Sequence, residues 1–520
     1  MPSLDLAACV VLAGCLAVVL CWLAVVKQAP TAFIVLFTVV VGGLLFLLQL
    51  LGRRCEHIRP DRNCRQALCR STEGKHSGTH VDSLDGLRAV AVSWVILYHA
   101  LCVPTFFFVG PTNYNQFIGQ WYMQFAFSGA MGVDLFFVLS GFLIVSLLVP
   151  EGRKAAAVGA NVATQAADDA IASTESRAAL GTCNAGVRYG AFLLKRFLRL
   201  APAYLVLLAY NVSPLQPDET QRETCRAWWW LNVPLFLNNY FDLWVAPHVK
   251  DPLYRAWLGC DLHTWTVAVE WQFYLASVPL VHTLLLLERW MARRERCIER
   301  ARARALRLQL VLLAVLIGCT VLLRWWLRRQ YGDVFGLYVN AMMYTRGGPY
   351  LAGMAAALVT LSPPPSSEQS EQLLSPLVPS EVQTACTPHQ PLPSRTRVWR
   401  RDADLTSRCW HWCFYLGSLS LALFTALSYS AYLIQFIFLQ PTYDAYFTVN
   451  PTDSRALCFS KLSGLYWLSL LVINAASMLL HVLVEAPANN LRNHAVHLFS
   501  LAAALISRVG AMAARPVPAE

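Results

Sequence analysis

The sequence predicts an all-α fold, a polytopic transmembrane helical bundle of about ten to twelve spans, and three observations predict it. Apolar types make up 56% of the 520 residues, while Asp, Glu, Lys and Arg together reach only 14%. An ordinary globular domain carries about 25% charged residues, so a soluble body of this size could not dress its surface. Apolar runs long enough to cross about 30 Å of hydrocarbon at 1.5 Å per residue recur along the chain. The net charge of +11 is also unevenly spread. From Glu288 to Arg307 there are eight basic and three acidic residues, and from Gly52 to Leu84 seven and four. Between Ser213 and His263 there are four basic and six acidic. The positive-inside rule produces such asymmetry, with basic loops retained in the cytoplasm. Nucleic-acid binding is therefore a poor account of the basic balance. Sixteen cysteines in 520 residues are too dilute for a disulfide-rich secreted scaffold.

Residues 1–51 read as an N-terminal transmembrane hairpin, Leu6 to Val26 and Thr31 to Leu51, turning around Lys27 to Pro30. Asp5 stands where a secretory signal would carry a basic residue, which favours a retained anchor over a cleaved leader. A basic cytoplasmic linker, 52–83, follows, and residues 84–493 form the main membrane domain. Spans are expected near 85–104, 126–149, 194–212, 264–287, 308–327, 337–361, within 412–440, and near 464–486. With the hairpin these make about ten crossings, an even number that places both termini in the cytoplasm. The aromatic segment Trp228 to Trp244 is broken by Asn232, Pro234, Asn238 and Asn239, and a re-entrant or interfacial path there would raise the total. Two insertions, 150–190 and 362–408, are expected to be disordered and cytoplasmic, although Ala155 to Ala179 has the composition of a weak helix. Residues 494–520 read as a C-terminal tail.

Chemistry is sought where ionisable residues interrupt apolar runs. Arg88 and His99 share one span, and eleven helical steps set both on one face with His99 about 16 Å deeper. An ionisable side chain at that depth is a functional candidate by default, although a lone histidine more often packs against a neighbouring helix. Glu270 lies in the span that begins near Thr264 and reaches similar depth from the opposite face. A carboxylate beside an imidazole fixes its tautomer, as general-base catalysis requires; a structural ion pair is the alternative. Arg196 and Arg199, in KRFLRLAP, share a helix face by their spacing of three, where they either snorkel to the interface or hold phosphate oxygens.

Seven elements then occur in order: LDGLRAVAVSWVILYHA, GVDLFFVLSGFLI, RFLR, HTWTVAVEWQFYL, YTRGGPYLAGM, LSYSAYLIQ and VEAPANNLRN. Together they resemble the acyltransferase 3 family of integral membrane acyltransferases over about residues 82–493. The chain is most similar to the branch called nose resistant to fluoxetine, through Cys225 before WWWLNVPLFLNN, Cys260 before Trp265, and Arg346 ahead of GGPYLAG.

The resemblance implies transfer of an acyl group, commonly acetyl, from cytoplasmic acyl-CoA to a hydroxyl or amine of a carbohydrate or lipid acceptor. It assigns His99 as the essential histidine, Arg88 as its partner, Arg196 and Arg199 to the donor, and Glu270 to the acidic position of TWTVAVE. Asp134, Ser140 and Arg346 are further candidates, with helix packing an equal account of Asp134 and Ser140. Relatives often carry a histidine after SYSxYL, where this chain has Gln435. Cys225 and Cys260 fall in one translocated loop and are expected to form a disulfide. No metal site is expected. The location expected is an endomembrane or the plasma membrane, with the lipid bilayer as partner. A transporter or flippase is the rival reading, since buried charges also line carrier pathways. A non-catalytic membrane scaffold is the third.

Overall fold

The computed structural model describes residues 6–51, 59–68, 82–106, 119–168, 174–233, 235–240, 260–295, 298–331, 341–362, 427–450 and 452–513. Helix dominates these residues, and no strand occurs among them. The long helices are α1 (Leu6–Val25), α2 (Thr31–Leu51), α3 (Pro60–Leu68), α4 (Asp82–Phe106), α5 (Met131–Asp168), α6 (Thr174–Val212) and α7 (Glu219–Asn232). They continue as α8 (Trp265–Arg294), α9 (Ile298–Tyr331), α10 (Met343–Thr360), α11 (427–442), α12 (Arg455–Leu480) and α13 (Ala486–Ala513). Each expected span overlaps helix where its residues are described, while 337–340 and 412–426 lie outside the described residues.

Among the described residues, five stretches are apolar and long enough to cross a membrane by length and composition alone: α1, α2, Gln124–Pro150, Arg300–Gln330 and Arg455–Ala503. The others are less apolar because they carry the polar residues of the interior. Among the described residues α2 buries no side chain, which suits a helix whose partner is lipid rather than protein. The hairpin is nonetheless tied to the body. Trp22 Nε1 donates to Thr442 Oγ1 at 3.0 Å, and Asn490 Nδ2 donates to Asn63 Oδ1 of α3 at 3.1 Å.

One expectation needs correction. The insertion 150–190 is helical through Asp168 and again from Thr174, because α5 and α6 extend without interruption beyond the apolar body into Ala-rich sequence of high helix propensity. The tail from 494 continues α13 as far as Ala513. Residues 363–408 of the second insertion, and most of the linker 52–83, lie outside the described residues.

Lipid offers apolar helices no hydrophobic reason to associate, so close packing of small residues holds such bundles together. The α5–α10 contact is of this kind. A Cβ on Gly141 would lie 2.1 Å from the Tyr350 carbonyl oxygen, and one on Gly353 would lie 2.0 Å from that of Val138. The same interface carries an ion pair, since Arg346 Nη1 meets the two Asp134 oxygens at 2.9 and 3.1 Å. The Arg346 guanidinium also lies 5.3 Å from the Trp265 ring.

At the opposite end from the Arg-rich α8–α9 connection, Cys225 and Cys260 form a disulfide. Next to it Asp261 adopts a left-handed backbone (φ 54°), a conformation Asp tolerates better than most residues. Its carboxyl is buried and accepts from Asn211 Nδ2. Burial pushes the Asp261 carboxyl up to about 7, against the smaller opposing effect of the Asn211 bond. The folded state therefore binds a proton that the unfolded chain gives up near pH 4, so stability falls as pH rises from about 4 to 7 and then levels off. Unfolding temperatures recorded across that range in detergent should show this fall in the native chain and a flatter profile in Asp261→Asn.

Candidate active site

Helices α4, α5, α6, α8 and α11 enclose a cavity of about 820 Å³, counted to its open mouth. Arg88 reaches it from α4, Ser140 from α5, Arg196 and Arg199 from α6, and Glu270 from α8. Five of the residues singled out in the sequence, from four helices, thus share one space. On α6 the three-residue spacing turns both arginines to the same side, as expected.

The arginines are held differently. The Arg196 guanidinium lies 5.3 Å from the centre of the Phe192 ring and 5.1 Å from that of Tyr274, resting on aromatic faces. Arg199 feels the negative charges of Glu270 and Glu485. Glu270 accepts a short hydrogen bond from Tyr274 OH, one turn along its own helix, and a longer one of 3.4 Å from Ser140 Oγ. The site thus sets guanidinium groups over a floor of aromatic rings, with the nearby carboxylates already hydrogen-bonded. Such a wall suits an anionic ligand that brings its own phosphates.

His99 belongs to a second group, outside the lining of this cavity. Its Nδ1 lies 2.9 Å from Gln435 Oε1 on α11. The Gln435 amide nitrogen donates to the Tyr432 carbonyl at 3.0 Å, which fixes the amide so that its oxygen faces the imidazole. An amide oxygen only accepts, so the proton sits on His99 Nδ1 and the lone pair on Nε2. Phe436 lies between two imidazoles, its ring centre 4.7 Å from that of His99 and 4.9 Å from that of His263. His263 Nε2 donates to the Leu433 carbonyl at 3.0 Å, so it is engaged within the protein.

The expected hydrogen bond between His99 and Glu270 is therefore not made. Equal depth brought neither side chain to the other, because Glu270 turns toward Tyr274 and the arginines while Gln435 occupies the Nδ1 side of His99. Gln435, noted in the sequence only as a departure from relatives, supplies the orienting contact. The two groups adjoin through Tyr432. Its side chain lines the cavity with Thr266, whose hydroxyl donates to it at 2.8 Å, and its carbonyl holds Gln435.

Asp134 and Arg346 pair with one another away from the cavity lining, where they join α5 to α10. The sequence reading missed Glu485, which accepts from Ser430 Oγ at 2.8 Å and lies 3.1 Å from His481 Nδ1. The four-residue spacing of His481 and Glu485 was the available signal.

Comparison with known proteins adds independent information. The family model described as Acyltransferase domain matches residues 81–369. Among curated proteins, the chain is 27% identical over 300 residues to the peptidoglycan O-acetyltransferase OatA of Listeria monocytogenes, covering 55% of this chain and 35% of that protein. It is 28% identical over 226 residues to the O-acetyltransferase OatA of Staphylococcus aureus (strain NCTC 8325 / PS 47), covering 41% of this chain and 26% of that protein. The aligned parts thus span between about a quarter and a third of these relatives. No solved structure matches.

Proposed function

This chain belongs to the family of membrane acyltransferases whose model covers residues 81–369, and on that premise we propose that it moves an acetyl group from acetyl-CoA to a hydroxyl of a carbohydrate or lipid. The observation that carries this reading is the adjacency of two groups: an arginine-lined cavity suited to an anionic donor, and an imidazole oriented by the Gln435 amide, which Tyr432 of the cavity wall holds. The relatives' names support O-acetylation and a carbohydrate acceptor.

In the proposed reaction Arg88, Arg196 and Arg199 hold donor phosphates near the mouth, and the pantetheine arm carries the thioester inward past Tyr432. His99 Nε2 takes the proton of the acceptor hydroxyl as its oxygen bonds to the thioester carbonyl carbon. The tetrahedral intermediate collapses with cleavage of the carbon–sulfur bond, and the proton passes from His99 to the departing thiolate. Gln435 keeps Nδ1 protonated throughout, so that Nε2 is the basic nitrogen. Glu270 acts among the arginines, limiting their mutual repulsion while the site is empty.

Purified protein in liposomes, given acetyl-labelled acetyl-CoA and a membrane lipid and glycan extract, should place label covalently on an acceptor. A flippase or carrier would redistribute solutes without modifying any of them. Arg196→Ala should raise KM for acetyl-CoA by roughly 10- to 100-fold, the worth of one charged hydrogen bond, with kcat within a few-fold of the native value. An unchanged KM would count against the phosphate role.

A further inference from the structure

Arg492 had no role in the sequence reading, yet the packing of α13 sets it beside the two donor arginines. Helices α6 and α13 meet at Gly190, where an added Cβ would lie 2.7 Å from the Phe499 ring. From Gly190, Arg196 and Arg199 lie six and nine residues on, or about 9 and 14 Å along α6. Arg492 lies seven residues before Phe499, or about 10 Å along α13. The helices run antiparallel, so the three residues come within a few ångströms of one level along the bundle, near enough for Arg492 to feel the charges of Arg199 and Arg196.

This arrangement is unfavourable with no anion present. The Arg492 Nε–H is buried and has no hydrogen-bond partner among the described residues, and the Asn489 side-chain oxygen one turn earlier is in the same condition. The carboxylates nearest the group are those felt by Arg199, Glu270 and Glu485, and both already accept hydrogen bonds from Tyr274, Ser140 and Ser430. Three guanidinium charges facing two occupied carboxylates leave a positive excess and a spare donor at one spot. Burying a donor without a partner is costly, so such a group calls for a water, an ion or a ligand to complete it.

We propose that Arg492 is a specificity residue for the donor, and that with Arg196 and Arg199 it binds the ribose 3′-phosphate of coenzyme A. Arg492 does not line the cavity. It stands on the α13 side of the two arginines, so it meets the part of the donor farthest from the thioester. In coenzyme A that part is the phosphorylated ribose. A phosphate monoester is close to a dianion at neutral pH and offers three acceptor oxygens, enough for guanidinium forks from two helices. The proposal rests on the acyl-CoA reading above and adds to it the source of selectivity between 3′-phosphorylated and dephosphorylated donors.

The test crosses a protein change with a ligand change. KM is measured for acetyl-CoA and for acetyl-3′-dephospho-CoA in the native protein, Arg492→Gln and Arg492→Lys, each checked for native unfolding temperature. In Arg492→Gln, KM for acetyl-CoA should rise about tenfold or more with kcat little changed, while KM for the dephospho donor stays within about twofold. Arg492→Lys should recover part of the loss. Equal losses with both donors would mark a merely structural residue, and no loss with either would mark an idle one; each overturns the proposal. Calorimetric titration with adenosine 3′,5′-bisphosphate separates this failure from that of the broader reading. If the native protein transfers nothing from acetyl-CoA but binds the bisphosphate in an Arg492-dependent way, the donor assignment falls and the phosphate site stands. If it binds no bisphosphate, the site falls too.

Discussion

Replacing His99 with alanine should lower acetyl transfer by roughly 10²- to 10⁴-fold, the range that a positioned general base contributes. The loss should fall on kcat, with KM for acetyl-CoA close to native, because in the proposed site the donor phosphates sit on Arg88, about 16 Å along α4 from the imidazole, and on Arg196 and Arg199 of α6. Two features of the structure set the expectation. Among the described residues His99 has one hydrogen bond, to an amide oxygen that can only accept, which leaves Nε2 as the basic nitrogen. The imidazole also stands between Tyr98 and Phe436, with ring centres 5.4 and 4.7 Å away, and has little freedom to turn. Gln435→Leu should behave as a milder version of the same change. It keeps the volume, removes the acceptor, and should reduce kcat by about tenfold, since an unpartnered buried N–H costs on the order of 1–3 kcal/mol and releases the tautomer. Initial rates with saturating acetyl-CoA in proteoliposomes check both variants. Full activity in His99→Ala would remove the imidazole from the mechanism.

The second large effect is on folding. Gly353→Ala should abolish detergent-stable protein or lower its unfolding temperature sharply, because the new methyl would lie 2.0 Å from the Val138 carbonyl oxygen and 3.0 Å from the Phe142 nitrogen. Both neighbours are backbone, so no side chain can swing aside and the two helices must separate. Overpacking a well-filled interior costs about 1–3 kcal/mol where side chains can adjust, and more where they cannot. The damage would spread through α5 and α10, loosening the Asp134–Arg346 pair and the Ser140 side of the cavity. Gly318→Ala is the matched control, since nothing lies within 4 Å of the added carbon and α9 should accept it unchanged. Fluorescence-detected thermal melting of the two variants distinguishes a packing glycine from a helix that dislikes any substitution.

The helices of the bundle could be read from the sequence because hydrocarbon imposes length and composition on each span separately, with no knowledge of its neighbours. The shared face of Arg196 and Arg199 was legible for the same reason, being a property of one helix. Relations between helices were harder. Depth could be counted for His99 and Glu270, but the rotation of each helix about its axis could not, and that rotation turns Glu270 toward Tyr274 and leaves His99 to Gln435. Asp134 and Arg346 were both noted as candidates, yet their contact spans 212 residues of sequence that no local pattern connects. The Ala-rich ends of α5 and α6 have the composition of a weak helix on their own, and they continue as helix because the apolar body has already nucleated it.

The central claim is that a thioester donor anchored on the arginines brings its acyl carbon to His99. The most direct measurement is a structure of the protein bound to a non-hydrolysable acetyl-CoA analogue, in which the distance from the carbonyl carbon to His99 Nε2 is read. The carbonyl carbon is expected about 4.5 to 5.5 Å from Nε2, with the acceptor hydroxyl between them, about 2.8 Å from the nitrogen and about 3 Å from the carbon, and with the nucleotide against Arg196 and Arg199. A carbonyl carbon that stops in the arginine cavity, short of Tyr432 and out of reach of the imidazole, would contradict it.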